Sequence, residues 1–364
     1  TASLYANPKH MDEPNLAAQK LCKSFSSIKC DEVSKQFNSE KNFVWIKRHL
    51  TPKEQNAVNH LGIPGLYFAK DEKRVYPQSN LFSHPVGYVD IDGNGLAGLE
   101  KFHNDSLINN NSEFLQLSLD TRVQAILKDE LEKSVKENMA VGASGIVMDA
   151  TNGEIIAMVS LPDFDPHHVN KTSERQRFNQ TTLGVYEMGS TFKLFTFAMG
   201  LDSGSVRLND AFNVEQPIKI GAHRIRDYKG KGGNLSVPEI LMYSSNIGTA
   251  HIAEKVGAKK QQNYLHKMGM LSSLSTDIPE RSRPIFPSQK PTWSDASMTT
   301  ISFGHGIAVT PLHVAAAMAA IVNGGTLYTP TLKKAEGDAP QGVQVISAKT
   351  SQLMRKLSRL VVTD

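Results

Sequence analysis

The sequence has little that would place it in a membrane or on a nucleic acid. No stretch of its 364 residues approaches the roughly 20 apolar residues that a membrane-spanning helix needs, and no signal peptide is visible. The 40 basic and 36 acidic residues are scattered, with a formal net charge of +4, and they form no long basic run. Binding to nucleic acid is therefore not indicated.

Cysteine is equally scarce. Cys22 and Cys30 are the two in the chain, eight positions apart. On one continuous helix that spacing would separate them by about 12 Å, too far for a disulfide, whereas a turn between them would permit one. The sequence leaves two free thiols or an incidental bridge as alternatives, does not indicate a redox site and does not fix the compartment.

What remains is the composition of an ordinary globular protein, 40% hydrophobic and 21% charged, long enough for two domains. Residues 1–116 are polar and broken by turns. The pattern then predicts an amphipathic helix from Asp120 to Met139, capped by Asp120, and a hairpin of residues 143–149 and 154–160 around Asn152-Gly153. Further helices are predicted at 247–256, 310–322 and 347–362, and residues 238–242 lead into a serine-rich motif at Ser244. No internal repeat is visible. This arrangement is a mixture of helix and sheet without strict β-α-β alternation.

Two short motifs carry a chemical signal. The first is Ser190-Thr191-Phe192-Lys193, a Ser-x-x-Lys pattern, and the second is Ser244-Ser245-Asn246, a Ser-x-Asn pattern. As bare patterns they are no more frequent than chance predicts, and another Ser-x-x-Lys match begins at Ser26. Ser26 lies in a polar stretch, whereas Ser190 follows a glycine and opens an apolar helix that ends near Gly204. Ser190 is thus predicted at a helix N-terminus, with Lys193 on the same side.

The apolar helix makes Lys193 informative. A buried ammonium is costly, so the side chain either reaches water or its pKa falls until it can act as a base. For an isolated match, a capping serine and a lysine that reaches solvent would be the better interpretation. The surrounding phrases favour the catalytic one here.

Those phrases extend over nearly the whole chain, which resembles the class B penicillin-binding proteins, the D,D-transpeptidases of bacterial cell-wall synthesis. Similarity to the family's N-terminal pedestal is carried by residues 43–50, 62–65, 74–77 and 95–100, and similarity to the opening of its transpeptidase domain by residues 117–124. Three phrases look more like the division branch, which makes septal peptidoglycan: Trp293-Ser294-Asp295, Ser302-Phe303-Gly304-His305-Gly306 and Thr310-Pro311-Leu312.

The resemblance implies an α+β fold of the penicillin-binding-protein and β-lactamase type, an antiparallel sheet flanked by helices. This transpeptidase domain would occupy residues 117–364, lacking its C-terminal part, behind a dimerisation-like pedestal of residues 1–116. The implied enzyme cross-links peptidoglycan stem peptides in septal synthesis, is acylated by β-lactams and needs no metal or organic cofactor. Implied partners are the septal glycosyltransferase and other division proteins, and no nucleic acid. The implied location is the periplasmic face of the bacterial inner membrane.

The resemblance also assigns roles to individual residues. Ser190 would be the nucleophile that forms the acyl-enzyme, and Lys193 the general base. Ser244 would relay a proton to the departing D-Ala amine, and Asn246 would orient Lys193 and hold the substrate amide. The backbone N–H of Ser190 would supply half of an oxyanion hole. The implied substrate-binding positions are Gly189, Ser245, Gly304 and Gly306.

The chain departs from the family pattern in two places. Met188 stands where the family usually has proline, which should loosen the adjoining loop slightly. The third family signature, Lys-Thr-Gly, is absent, since Lys349-Thr350-Ser351 lacks the glycine and falls in a predicted helix, whereas the motif needs a strand edge. We therefore expect that the chain stops just short of this strand and that an N-terminal membrane anchor is also missing. Acylation by this piece alone should be strongly impaired.

Several alternatives stay open at this point. They are an elongation-type transpeptidase, a β-lactamase or D,D-carboxypeptidase of the same fold, and a β-lactam-binding sensor or scaffold without turnover. The pedestal argues against the hydrolases, and intact Ser244 and Asn246 argue against the scaffold. The absence of a Gly-x-Ser-x-Gly elbow disfavours an α/β-hydrolase. A metal site could be sought in one polar group that follows Leu161-Pro162, although a polar loop is the better interpretation of it: Asp163, Asp165, His167 and His168.

Overall fold

The computed structural model describes residues 1–25, 28–109, 114–220, 223–228, 230–287, 293–335, 337 and 340–363. It separates the chain into two compact units. Unit 1 consists of Thr1–Pro77 with Val89–Asn94, and unit 2 consists of Gln78–Tyr88 with Gly95–Asp364. The domain boundary expected between residues 116 and 117 stays a prediction.

Unit 1 is built on a three-stranded antiparallel sheet in which β1 lies between β2 and β3. Leu4 and Ala6 of the central strand are fully buried and pack in an apolar core with residues of the helices. The third helix begins at a capping box formed by Thr51 and Glu54 and ends at Gly62 in the left-handed conformation. The elements of unit 1 are β1 (Ala2–Ala6), α1 (Pro14–Ser24), α2 (Cys30–Phe37), β2 (Val44–Leu50), α3 (Pro52–Leu61) and β3 (Leu66–Lys70).

The two cysteines form a disulfide in unit 1. Cys22 lies in the last turn of α1 and Cys30 is the first residue of α2. The chain turns between them, so the two Cα atoms are 5.8 Å apart instead of the separation that one helix would impose. Of the alternatives that the spacing left open, the structure contains the bridge. Ser26, which opens the other Ser-x-x-Lys match, lies outside the described residues.

Replacing both cysteines with serine should destabilise this unit. Closing a loop of this length removes conformational entropy from the unfolded chain, worth about 2.5 kcal/mol, and we expect a loss of that size. The measurement is thermal unfolding with and without a reductant. The reductant should lower the melting temperature of the wild type to that of the double variant and leave the variant unchanged. Equal melting temperatures for the oxidised wild type and the variant would contradict the prediction.

Unit 2 contains the remaining helices and strands. In its first part they are α4 (Ser83–Val86), α5 (Gly98–Phe102), α6 (Asn104–Asn109), α7 (Thr121–Glu137), β4 (Ala143–Met148), β5 (Ile155–Leu161) and α8 (Glu174–Arg177). The middle part has α9 (Lys193–Asp202), β6 (Ala211–Asn213), β7 (Ile218–Ile220), β8 (His223–Ile225), β9 (Asn234–Ser236), α10 (Val237–Met242), α11 (Asn246–Val256) and α12 (Ala258–Lys267). The last part has α13 (Asp295–Ser302), α14 (Pro311–Val322), β10 (Thr326–Leu327), β11 (Val343–Gln344) and α15 (Ala348–Thr363).

The hairpin and the helices predicted from the sequence are present in this unit. Helix α7 begins where the Asp120 carboxylate accepts hydrogen bonds from the backbone N–H groups of Arg122 and Val123. Strands β4 and β5 pair antiparallel around the turn at Gly153, which has a φ of +83°. Helices α7 and α14 pack against this pair, so the expected arrangement of helices beside an antiparallel sheet is confirmed.

Helix α9 runs through the main apolar core of unit 2. Phe195, Phe197 and Ala198 are fully buried, and residues of α10, α11 and α15 belong to the same core. A helix that is apolar on all sides has to be surrounded by other elements. Its first residue, Lys193, is thereby drawn into the protein. Among the described residues, no helix has both the length and the apolar character that crossing a membrane requires.

Candidate active site

Ser190 stands exposed at the entrance to this helix. It lies in a turn of 3-10 helix, Gly189–Phe192, that continues into α9 at Lys193. Its hydroxyl group makes no hydrogen bond to any side chain or backbone atom of the described residues. Its backbone N–H is in the first turn, where N–H groups have no partner within the helix. The serine is thus accessible to a substrate, with a backbone donor beside it.

Lys193, one turn further on, is 1% exposed. Its amine donates one hydrogen bond to the Ser244 carbonyl oxygen and another, of 2.9 Å, to the Ser244 hydroxyl. Burial lowers the pKa of Lys193 to about 8, and the negative charge of Asp227 opposes part of this decrease. A neutral amine, which is what a general base requires, is therefore accessible close to physiological pH.

Ser244 reaches Lys193 because of an uncommon backbone conformation. It follows the end of α10 with a φ of +52°, in the left-handed region where helices usually place glycine. The backbone N–H groups of Ser244 and Ser245 close the helix by donating to Leu241 and Ile240. A side chain in this conformation costs on the order of 1 kcal/mol. The strained backbone conformation of Ser244 therefore places its hydroxyl group next to Lys193.

Two substitutions of Ser244 should separate this strain from the chemistry. Both Ser244→Gly and Ser244→Ala remove the hydroxyl, so both should slow acylation by a penicillin by a similar factor. Glycine accepts the left-handed conformation and alanine does not, so the glycine variant should be more stable by roughly 1 kcal/mol. Scanning fluorimetry and stopped-flow acylation measure the two quantities. An alanine variant that melts at or above the temperature of the glycine variant would contradict the argument.

The other two residues of the second motif are held by an aspartate. The Ser245 hydroxyl donates to Asp227 Oδ2 at 2.7 Å, and the Asn246 backbone N–H donates to Asp227 Oδ1 at 2.6 Å. The Asn246 side-chain amide donates to the carbonyl of Arg226 at 3.1 Å instead of contacting Lys193. No hydrogen bond between the Asn246 and Lys193 side chains is present among the described residues. The role of Asn246 in orienting Lys193 therefore stays a prediction.

Gly304 and Gly306 lie against the segment that precedes Ser190. Gly304 has a φ of +81°, and a Cβ atom there would come within 2.2 Å of the Gly189 carbonyl oxygen. The Glu187 carboxylate accepts hydrogen bonds from the Gly306 backbone N–H at 2.8 Å and pairs with His305 Nδ1 at 2.7 Å. These bonds, led by the one from Gly306, lower the pKa of Glu187. The glycines thus allow a close approach that positions the nucleophile loop, while their predicted contact with substrate stays a prediction.

The acidic residues and histidines after Pro162 have partners that fit a polar loop. Asp163 pairs with Lys128 at 2.5 Å, and Asp165 caps a 3-10 turn while pairing with His167 at 2.8 Å. In the part of the chain that the structure describes, no group of three or more His, Cys, Asp or Glu side chains is placed to hold a metal ion.

Comparison with known families agrees with this geometry. Residues 143–364 match the penicillin binding protein transpeptidase domain, and residues 1–147 match the penicillin-binding protein dimerisation domain. The chain belongs to the penicillin-binding-protein transpeptidase family. The family assignment and the α+β fold made from the sequence are thereby confirmed.

Two curated members of this family are similar along almost the entire chain. A protein named probable peptidoglycan D,D-transpeptidase FtsI, from Caulobacter vibrioides, is 36% identical over 98% of this chain. One named probable peptidoglycan D,D-transpeptidase PenA, from Neisseria gonorrhoeae, is 32% identical over 98% of it. The chain spans 61% and 66% of the lengths of these two relatives.

A solved structure of the family has the same fold. The apo form of penicillin binding protein 3 from Mycobacterium tuberculosis superposes with a TM-score of 0.72 at 26% sequence identity. The similarity covers 80% of this chain and 70% of that chain. Together with the relative from Caulobacter vibrioides named FtsI, it supports the class B assignment.

The penicillin-binding-protein signature Lys-Thr-Gly has no counterpart at Lys349-Thr350-Ser351. These three residues lie in α15, as the sequence predicted. The Thr350 hydroxyl donates to Asp202 at 2.9 Å at the start of that helix, and Ser351 is fully buried. The string is therefore part of the helix packing and is not a substrate-binding strand.

Three residues of the site, Asp227, Glu187 and His305, are not predicted by the sequence motifs. Asp227 precedes Ser245 by 18 positions in a loop without a recognisable pattern, and only the fold brings it to α11. His305 belongs to one of the division-branch phrases and Glu187 lies two residues before Gly189, but their pairing joins segments 118 positions apart. An acidic residue immediately before Met-Gly-Ser could have suggested a loop anchor, although not its partner.

Proposed function

We propose that the protein containing this chain is a serine-type peptidoglycan D,D-transpeptidase of the division-specific class B branch. Its substrates would be stem peptides that end in D-Ala-D-Ala, cross-linked during septal wall synthesis, and β-lactams would acylate the same serine. The names of the similar proteins from Caulobacter and Neisseria support the reaction class. Septal use is supported by the phrases shared with the division branch.

The observation that carries the proposal is the environment of Lys193. Lys193 is 1% exposed, lies one helical turn after the exposed Ser190 and has its amine 2.9 Å from the Ser244 hydroxyl, so it connects the two motifs. A structural lysine would have a carboxylate partner or reach water, whereas this one donates to a carbonyl and a hydroxyl. The arrangement suits acyl transfer better than a packing role.

Acylation follows from these positions. Ser190 Oγ attacks the carbonyl carbon of the bond between the two D-alanines while neutral Lys193 takes the hydroxyl proton. The Ser190 backbone N–H donates to the oxyanion that develops on the carbonyl oxygen. When the tetrahedral intermediate collapses, the C–N bond breaks and the proton passes from Lys193 through the Ser244 hydroxyl to the departing amine. D-Ala leaves, and the rest of the stem peptide remains as an ester on Ser190.

Transfer then repeats these steps in reverse with another nucleophile. The amine of a second stem peptide loses its proton to the Ser244–Lys193 pair and attacks the ester carbonyl. Ser190 Oγ recovers the proton when the ester bond breaks, and a new amide joins the two peptides. The energetic balance needs no cofactor, because one amide is exchanged for another through an ester.

The proposed location is the periplasmic face of the inner membrane, and the proposed partners are the septal glycosyltransferase and other division proteins. The disulfide between Cys22 and Cys30 supports an oxidising compartment, since such bridges rarely persist in the cytosol. We expect the cysteines of protein isolated from the cell envelope to resist alkylation until a reductant is added.

The direct test uses the full-length protein and lipid-linked peptidoglycan precursor that is polymerised by its glycosyltransferase. We expect cross-linked muropeptides and release of one D-Ala per cross-link, both blocked by a penicillin. Release of D-Ala without cross-links would indicate a carboxypeptidase, and rapid steady hydrolysis of penicillin a β-lactamase. A penicillin adduct without either product would indicate a sensor or scaffold.

A further inference from the structure

The Asp227 carboxylate accepts three hydrogen bonds, two from the second motif and one from the residue that follows it. Besides the bonds from the Ser245 hydroxyl and the Asn246 N–H, it accepts one from the Ile247 N–H at 3.0 Å. The Ser245 hydroxyl in turn accepts from the Gly248 N–H at 2.9 Å and caps α11. Asp227 therefore satisfies the first N–H groups of an eleven-residue helix, directly and through Ser245, where a negative charge is also favoured by the helix dipole.

These bonds fix the residues on the C-terminal side of the strained Ser244. On its N-terminal side the chain is held by the closing bonds of α10. A left-handed non-glycine residue keeps its conformation when both neighbours are anchored. The same conformation directs both the carbonyl and the hydroxyl of Ser244 at the Lys193 amine. Loss of the anchor would release the turn and with it both contacts.

We propose that Asp227 is a positioning residue of the acyl-transfer site, which holds Ser245, Asn246 and Ile247 so that Ser244 stays against Lys193. This inference rests on the proposed transpeptidase function and adds a group that neither motif contains. Asp227 acts through Ser245 and α11 and, through its charge, on the protonation of Lys193.

The effect of the Asp227 charge on the pKa of Lys193 can be measured separately from the effect of its hydrogen bonds on the position of Ser244. Among the described residues, Asp227 is the ionised group that raises the pKa of Lys193 against the effect of burial. Among the described residues of α11, α12, α13 and α15, which pack against α9, no charged side chain shifts the pKa of Lys193 further. Three charged residues close in sequence to Asp227, Ser244 or Ser190 have partners other than Lys193. Lys231 donates to the Tyr243 hydroxyl, Glu239 accepts from Ser236, and Glu187 pairs with His305. Arg226 adjoins Asp227 on the same loop.

Two variants of the full-length protein distinguish the two effects. Asp227→Asn keeps an oxygen that can accept from Asn246 and Ile247 but removes the charge. Asp227→Ala removes both. The matched control is Asp277→Asn, because Asp277 likewise accepts from side-chain hydroxyls and from two backbone N–H groups. The hydroxyls are those of Thr276 and Thr331, and the N–H groups are those of Leu332 and Lys333. None of its partners belongs to the Ser190 or Ser244 motif. Circular dichroism and melting temperature verify that each variant is folded.

The readout is the second-order rate of acylation by a fluorescent penicillin between pH 6 and pH 10. For Asp227→Ala we expect a decrease on the order of 10²-fold, the effect of a misplaced catalytic group. For Asp227→Asn we expect a smaller decrease and a midpoint of the acidic limb that moves to lower pH, since removing a nearby negative charge makes the amine easier to deprotonate. Asp277→Asn should keep the wild-type pH profile.

The outcomes separate this inference from the function on which it rests. Wild-type protein that forms no adduct at Ser190 would overturn the proposed function. Wild-type protein that is acylated at Ser190, with Asp227 variants that keep its rate and its midpoint, would overturn the inference alone. An Asp227→Asn variant whose midpoint stays in place or moves to higher pH would also overturn it, because a purely structural loss changes the rate without moving the midpoint downward.

Discussion

Ser190→Ala should abolish covalent labelling of the full-length protein by a fluorescent penicillin. Without the hydroxyl no ester can form, and neither Lys193 nor Ser244 can replace it in a stable adduct, so we expect a decrease of more than about 10³-fold, to the background of the gel. The fold should be unaffected, because Ser190 is exposed and its side chain makes no hydrogen bond among the described residues. We expect the melting temperature to stay within the range of about 0.5 kcal/mol that is usual for surface changes.

The chain offers its own matched control for this experiment. Ser26→Ala alters the serine of the other Ser-x-x-Lys match, with the same loss of one hydroxyl. This variant should label as fast as the wild type. Peptide mapping of the labelled protein should place the adduct on the peptide that contains Ser190. Label that persists in Ser190→Ala at an appreciable rate would contradict the assignment of the nucleophile.

The elements around the site were predictable because their signals are local. Asp120 caps α7 within three residues, Gly153 closes the hairpin within its own turn, and Thr310 caps α14 through His313 in the same way. Capping and turn preferences depend on neighbours in the sequence, so a sequence pattern contains them. The buried helix behind Ser190 was visible for the same reason, since seven of the ten positions from Phe192 to Leu201 are apolar.

The contacts that assemble the site were not predictable in this way. The Ser244 conformation has no sequence signature, because a left-handed position usually attracts glycine and here carries a serine. Asp227 reaches α11 from a loop, and Glu187 meets His305 across 118 positions, so both contacts depend on the tertiary fold. The cysteine spacing likewise allowed two states until the turn between α1 and α2 was known.

The second large effect concerns Lys193, which should be required as a base and not as a charge. Lys193→Arg keeps a positive charge but cannot deprotonate, and Lys193→Met keeps most of the apolar side chain without an amine. A general base contributes about 10²–10⁴-fold to a rate, so both variants should acylate slower by that factor. Lys260→Met, at an exposed position of α12, is the matched control and should leave the rate unchanged.

The pH dependence of the acylation rate gives a second test of Lys193 as the base, because the direction of the change with pH can be predicted. With the pKa of Lys193 at about 8, about one tenth of the free enzyme carries the neutral amine at pH 7, and most carries it at pH 9. The rate of acylation of the wild type should therefore rise with pH, with a midpoint near pH 8, and level off above about pH 9. In Lys193→Met and Lys193→Arg the residual rate should lose this limb, because the group that titrates is gone. A Lys193→Arg variant that keeps the wild-type rate would mean that the site needs the positive charge, and the role of Lys193 as base would be wrong.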